Sequence, residues 1–150
     1  MLTPDERTNE AKITKEEEKK PGTASSKWRL VAEDYKRKGG DDCCYFCEAG
    51  RAYMRAAADF ARDGLAKDAD EATQNAALCY KLCGDMCTEI GDFLCASTGF
   101  AQASLIFRRL AKNYQAAGAP AEKVKAMNEL ADQAEKGVQK VDELERMTDY

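Results

Sequence analysis

Residues 72–114 read ATQNAALCYKLCGDMCTEIGDFLCASTGFAQASLIFRRLAKNY. Within them Ala72, Ala76, Cys79, Cys83, Met86, Ile90, Phe93, Ser97, Phe100, Ser104, Phe107, Ala111 and Tyr114 follow one another in alternating steps of four and three without a slip. That rhythm matches the helical turn, so these side chains fall on one stripe. A turn normally shifts the phase, and its persistence predicts few loop residues here. Gly84 followed by Asp85 marks a predicted break, the glycine ending one helix and the aspartate capping the next. From Met86 to Ala117 the spacing predicts one long helix. Gly91 and Gly99 then lie inside it at about 1 kcal/mol each relative to alanine, tolerable where another helix approaches closely. A break near Ser97–Gly99 is the competing reading.

The same logic extends in both directions. Upstream, Asp68 or Asp70 starts a helix that ends near Cys83–Gly84. Before it, Asp41 and Asp42 offer carboxylates to a helix running to about Asp63 and stopping at Gly64. Phe46, Gly50, Tyr53, Ala57 and Phe60 line one face of that helix, and Cys43, Cys47, Met54 and Ala61 widen it, so neighbours are expected on more than one side. The first helix starts at Ser25 or Ser26, carries Trp28, Val31, Ala32 and Tyr35 on one stripe, and ends at Gly39–Gly40. Residues 1–24 mix six acids with five bases and no aromatic, which reads as a solvated tail. Downstream, Gly118-Ala119-Pro120 is a stop and restart. The last helix, about 121–147, carries Val124, Met127, Ala131, Ala134, Val138 and Val141 as a thin apolar seam. The expected architecture is all-α: a charged tail over 1–24, then a single helical domain over 25–150 of about five helices stacked as antiparallel hairpins. An antiparallel helical bundle is the alternative.

Composition narrows the function. The 150 residues are 44% apolar and 33% charged, with a net charge of −4. Acids outnumber bases by 27 to 23, and no stretch combines Lys/Arg with aromatics as a nucleic-acid track would. No apolar run is long enough for a membrane span, and no secretory signal is visible, so a cytoplasmic protein is expected. A mitochondrial location without a visible presequence is the alternative. The chain has no histidine. This removes the commonest general base and zinc ligand, together with every Ser-His or Cys-His pair. No phosphate-binding glycine loop is present, and no cofactor is expected. Ser97 and Ser104 fall in the apolar stripe and are expected to bond back to their own helix. Arg108-Arg109 and Glu16-Glu17-Glu18 read as solvated faces.

A pattern of Ala-x-x-aromatic-x-x-x-Gly recurs at Ala32/Tyr35/Gly39, Ala57/Phe60/Gly64, Ala77/Tyr80/Gly84 and Ala111/Tyr114/Gly118. Physically it reads as a helix end: a small residue for close approach, an aromatic one turn later, and a terminating glycine. The stretches AEDYKRKGGDDCC and AALCYKLCGDMC are longer echoes of it, offset by 44 to 45 residues, and Tyr80 and Tyr114 are 34 apart. On these residues the chain resembles the tetratricopeptide family of helical hairpins, whose period is 34, and within it the irregular arrays of soluble NSF attachment proteins. The resemblance spans roughly residues 28–135 and implies a hairpin array that binds proteins. The other offsets, 25 and 20, depart from the family period, and the C-terminal ERMTDY lacks the leucine tip of the attachment proteins.

Seven cysteines stand out. Cys44 and Cys47 form C-x-x-C, Cys43 and Cys47 form C-x3-C, and Cys79, Cys83 and Cys87 continue at intervals of four. Three readings follow. The preferred one is packing, since reduced cysteine is a small, frequently buried apolar residue and the odd count favours thiols. Another is a pair of interhelical disulfides, as in small intermembrane-space proteins with twin C-x3-C motifs. The last is a zinc site using Cys44, Cys47, Cys83 and Cys87. The leading functional expectation is a non-enzymatic protein-interaction module, an adaptor or small subunit of a multi-subunit assembly. A thiol-redox or zinc-responsive protein using Cys43–Cys47 and Cys79–Cys87 is the alternative.

Overall fold

The computed structural model of the chain describes residues 23–38 and 42–148. They are 91% helical, and among them no strand occurs. The helices are α1 (Thr23–Lys38), α2 (Cys44–Arg62), α3 (Ala66–Ile90), α4 (Phe93–Ala116) and α5 (Ala121–Thr148). The chain divides into two compact units, one through Ala76 and one from Ala77, so the division falls within α3. Among the described residues no helix is long and apolar enough to cross a membrane.

In the first unit α1 packs against α2. The predicted stripe of Trp28, Val31, Ala32 and Tyr35 is buried. Because α1 begins at Thr23, Ser25 and Ser26 lie inside it rather than at its cap. Gly39, Gly40 and Asp41 lie outside the described residues, as does the charged segment 1–22 with Glu16-Glu17-Glu18. Asp42 fills its expected role: its Oδ1 accepts the Cys44 N–H at 3.0 Å. On α2, Ala49, Gly50, Ala52, Tyr53, Ala56, Ala57 and Phe60 are buried, a broad face dominated by small side chains. The Arg55 guanidinium sits 4.7 Å from the centre of the Trp28 ring, and Tyr35 stacks on Tyr45 at 5.8 Å. Two carboxylates, Asp34 and Asp59, are also buried. Each is paired with the arginine three residues on, Arg37 and Arg62 respectively. A buried charge needs such a partner.

The end of α2 is the predicted one. Gly64 takes φ +78°. Leu65 N–H donates to the Phe60 carbonyl at 2.8 Å and Gly64 N–H to that of Ala61 at 3.1 Å. This is the two-bond termination in which glycine enters the left-handed region without a Cβ penalty. The same pair of bonds closes α4 at Gly118, where Ala119 N–H donates to Tyr114 and Gly118 N–H to Gln115. In both cases the aromatic of the sequence pattern supplies the accepting carbonyl.

The second unit holds the later part of α3 with α4 and α5. Here the expected break at Gly84–Asp85 is absent, and α3 runs through to Ile90. The break falls instead at Gly91, with φ +82°. Asp92 N–H donates to the Cys87 carbonyl at 2.9 Å. Asp92 then caps α4, its Oδ1 accepting Cys95 N–H at 3.2 Å. The single helix expected over 86–117 is therefore two, and the competing break at Ser97–Gly99 falls inside α4. The reason lies in what Gly84 touches. A Cβ added there would stand 2.6 Å from the Phe100 ring, and one added to Gly137 of α5 would stand 2.7 Å from the same ring. Phe100 thus lies between two glycines. A Cβ on Gly99 would lie 2.6 Å from the Tyr80 carbonyl oxygen and 2.8 Å from the Gly84 nitrogen. Gly84 is a glycine for want of space, and its backbone stays helical. The two-residue connection at Gly91–Asp92 also explains the unbroken phase. The stripe slips only locally, where Ile90 is exposed and Cys87 is buried instead.

α4 packs along α5. Ala131, Ala134 and Val141 of the predicted seam are buried, Val124, Met127 and Val138 are half-buried, and most of the rest of α5 is exposed. Pro120 immediately precedes α5, and its carbonyl accepts Lys123 N–H at 3.0 Å.

Candidate functional site

The cysteines form the most concentrated chemistry in the chain. In the first unit Cys43 precedes α2 and Cys47 lies one turn inside it, both buried and both disulfide-bonded, while Cys44 is an exposed thiol. In the second unit Cys79, Cys83 and Cys87 stand on successive turns of α3, each with no exposed surface. Cys83 and Cys87 are disulfide-bonded and Cys79 carries a thiol. Their sulfurs are 3.8 Å apart, well beyond the ~2.05 Å of an S–S bond, so Cys83 and Cys87 are not bonded to each other.

This corrects the preference for seven packed, reduced thiols. The oxidised residues are those of the two C-x3-C spacings, Cys43/Cys47 and Cys83/Cys87. The sequence offered that pattern but not the redox state, because an odd cysteine count and the lack of a visible signal both pointed to thiols. It also bears on the four-cysteine zinc set of Cys44, Cys47, Cys83 and Cys87. A disulfide sulfur is not a thiolate donor, so three of those four are withdrawn while oxidised.

The seventh cysteine, Cys95, stands outside both C-x3-C spacings. Cys95 lies in the first turn of α4, half-buried, and its thiol sulfur is 3.4 Å from Cys83 Sγ. The two-residue turn at Gly91–Asp92 brings the start of α4 back onto α3. A break placed at Gly84 hides this juxtaposition.

The repeat positions divide by role. Tyr35, Phe60, Tyr80 and Tyr114 are all buried, as are the alanines three residues before them. Gly64 and Gly118 terminate helices, Gly84 does not, and Gly39 lies outside the described residues. Ser104 is buried, but its hydroxyl donates across to Glu135 Oε1 of α5 at 3.0 Å rather than back to its own helix. Arg108 is likewise not a solvated side chain. Its guanidinium donates to Asn128 Oδ1 at 3.0 Å, to Asp132, and to both carboxylate oxygens of Glu135 at 3.2 Å. The bond to Asp132, then that to Glu135, raises its pKa further above the ordinary value, so the charge is permanent. Arg109 is exposed, as expected.

Two surface features complete the second unit. A groove of about 570 Å³ runs over Phe100, with Lys81, Lys136 and Lys140 facing Asp85 and Glu89. Charges of both signs line it, and Lys81 pairs with Asp85 at 3.7 Å. α4 also carries apolar residues on its outer side. Leu94 is 82% exposed and Leu105 56%, eleven residues and hence three turns apart, with exposed Ala101 between them. On α3, Leu78 and Leu82 are exposed one turn apart.

Comparison of the chain with protein-family models, with curated proteins and with solved structures found no match.

Proposed function

We propose that this chain is a non-catalytic protein-interaction module, an adaptor or small subunit of a larger assembly, held together by disulfides in an oxidising compartment. The two-sided character of α4 carries the reading. A surface helix normally sets one apolar stripe against a polar outer face. α4 buries Ala96, Phe100, Ala103, Phe107, Leu110 and Tyr114 yet presents Leu94, Ala101 and Leu105 outward. A partner that lays an amphipathic helix along this face would cover them, the common mode for helical arrays. The hairpins agree with the tetratricopeptide-like resemblance, and the lack of histidine agrees with a role outside catalysis.

The oxidised C-x3-C cysteines shift the expected compartment. Disulfides persist outside the reducing cytosol, so the intermembrane space of mitochondria fits better than the cytoplasm. Double substitution Leu94→Glu with Leu105→Glu tests the interaction. Both side chains are exposed, so helicity by circular dichroism stays unchanged, while co-purifying proteins seen with the wild type are lost. Equal capture by both chains, or none by either, rejects the reading. Intact-mass analysis of protein taken from cells under acid quench tests the compartment, with four oxidised cysteines expected.

A further inference from the structure

We infer that Cys95 is an internal exchange thiol that attacks the disulfide at Cys83, giving the protein a second disulfide state with a Cys83–Cys95 bond between α3 and α4. This is independent of the interaction surface above. Cys95 carries a thiol, Cys83 is disulfide-bonded, and their sulfurs stand 3.4 Å apart, in van der Waals contact. Attack of a thiolate on a disulfide sulfur can begin from such a contact, with a further in-line approach to the ~2.05 Å of an S–S bond. Cys95 also sits in the first turn of α4, where backbone N–H groups face outward and negative charge is favoured, with the Asp92 carboxylate nearby opposing it. Cys79, one turn before Cys83 on the same helix, is fully buried, whereas Cys95 is half-buried.

The step balances without an outside oxidant. Cys95 gives its proton to solvent, and its thiolate attacks Cys83 Sγ. The Cys83–Cys95 bond forms as the existing bond of Cys83 breaks, and the displaced sulfur leaves as a thiolate that takes up a proton. One disulfide replaces another, and the thiol moves from Cys95 to the displaced cysteine. The result is a staple across the Gly91–Asp92 turn and a newly released thiol that can exchange with a protein carrying a disulfide. The same exchange run backward restores the original state.

The test uses the full oxidised chain, held natively at mildly alkaline pH without reductant, then acid-quenched, unfolded, alkylated and mapped. Cleavage after Lys81, Asp85, Glu89 and Arg108 places Cys83, Cys87 and Cys95 on separate peptides. The expected result is a Cys83–Cys95 linked species that grows with time to within about tenfold of the original disulfide, as exchange between comparable disulfides gives. Cys95→Ser abolishes it with helicity intact, and Cys79→Ser leaves its yield unchanged. Complete alkylation of Cys95 at every time point, with Cys83 keeping its first partner, overturns the inference. So does scrambling in which Cys79 links to Cys83 as readily as Cys95 does.

Discussion

The segments Ala57–Gly64 and Ala77–Gly84 carry the same signature, an alanine, an aromatic three residues on and a glycine four beyond that. One is a helix end and the other is helix interior. At Gly64 the backbone turns to φ +78° and nothing lies within 4 Å of where a Cβ would be. At Gly84 the helix continues, and a Cβ would meet the Phe100 ring at 2.6 Å. The two glycines answer different needs. Gly64 supplies a backbone conformation that other residues reach only at a cost, whereas Gly84 supplies the absence of a side chain. A local pattern cannot separate these cases, because the conformational need is local and the spatial one is set by a residue sixteen positions away.

That distinction is open to breakage by substitution. The largest effect is expected at Gly99, the partner of Gly84 across α3 and α4. Gly99→Ala places a methyl 2.6 Å from a backbone oxygen that no rotamer change can move. Destabilisation of about 3 kcal/mol or more, read by denaturant melts, is expected. Gly84→Ala should cost about 2 kcal/mol, because its obstacle is a side chain. Combined with Phe100→Leu it should cost less than the two single costs added, since the smaller side chain leaves room for the methyl. Strict additivity would mean that the ring is not what Gly84 accommodates. Gly64→Ala should cost about 1 kcal/mol through its positive φ alone, with no steric component. Gly64→Asn, which tolerates that conformation better, should cost only a few tenths. A larger cost for alanine at 64 than at 84 would reverse the assignment of roles.

Much of the helical layout was legible because it follows from nearest-turn chemistry. The stripe of Ala72, Ala76, Cys79 and Cys83, and the stops at Gly64 and Gly118, needed only spacing and glycine. The true end of α3 was harder to see, since Gly91 is preceded at the matching position by Cys87 rather than an aromatic. Local spacing turns Ser104 back on its own helix and Arg108 into solvent, whereas their partner Glu135 lies about thirty residues on. The cysteine site was half legible. The twin C-x3-C spacing is visible in the sequence, but oxidation is a property of surroundings and history, and Cys95 acquires meaning only through the turn at Gly91.

The short connections also have a kinetic consequence. Helices joined by two to four residues meet their neighbours after closing very small loops, so the α3–α4 and α4–α5 pairs should assemble in microseconds to milliseconds. Disulfide formation takes seconds to hours. Yet Cys83 and Cys87 have no exposed surface once the helices have met. An oxidant arriving at its usual pace would find the sulfurs already shut away, and maturation of this chain would have to proceed through repeated local opening of α3, or through an enzyme that catches the chain before it closes.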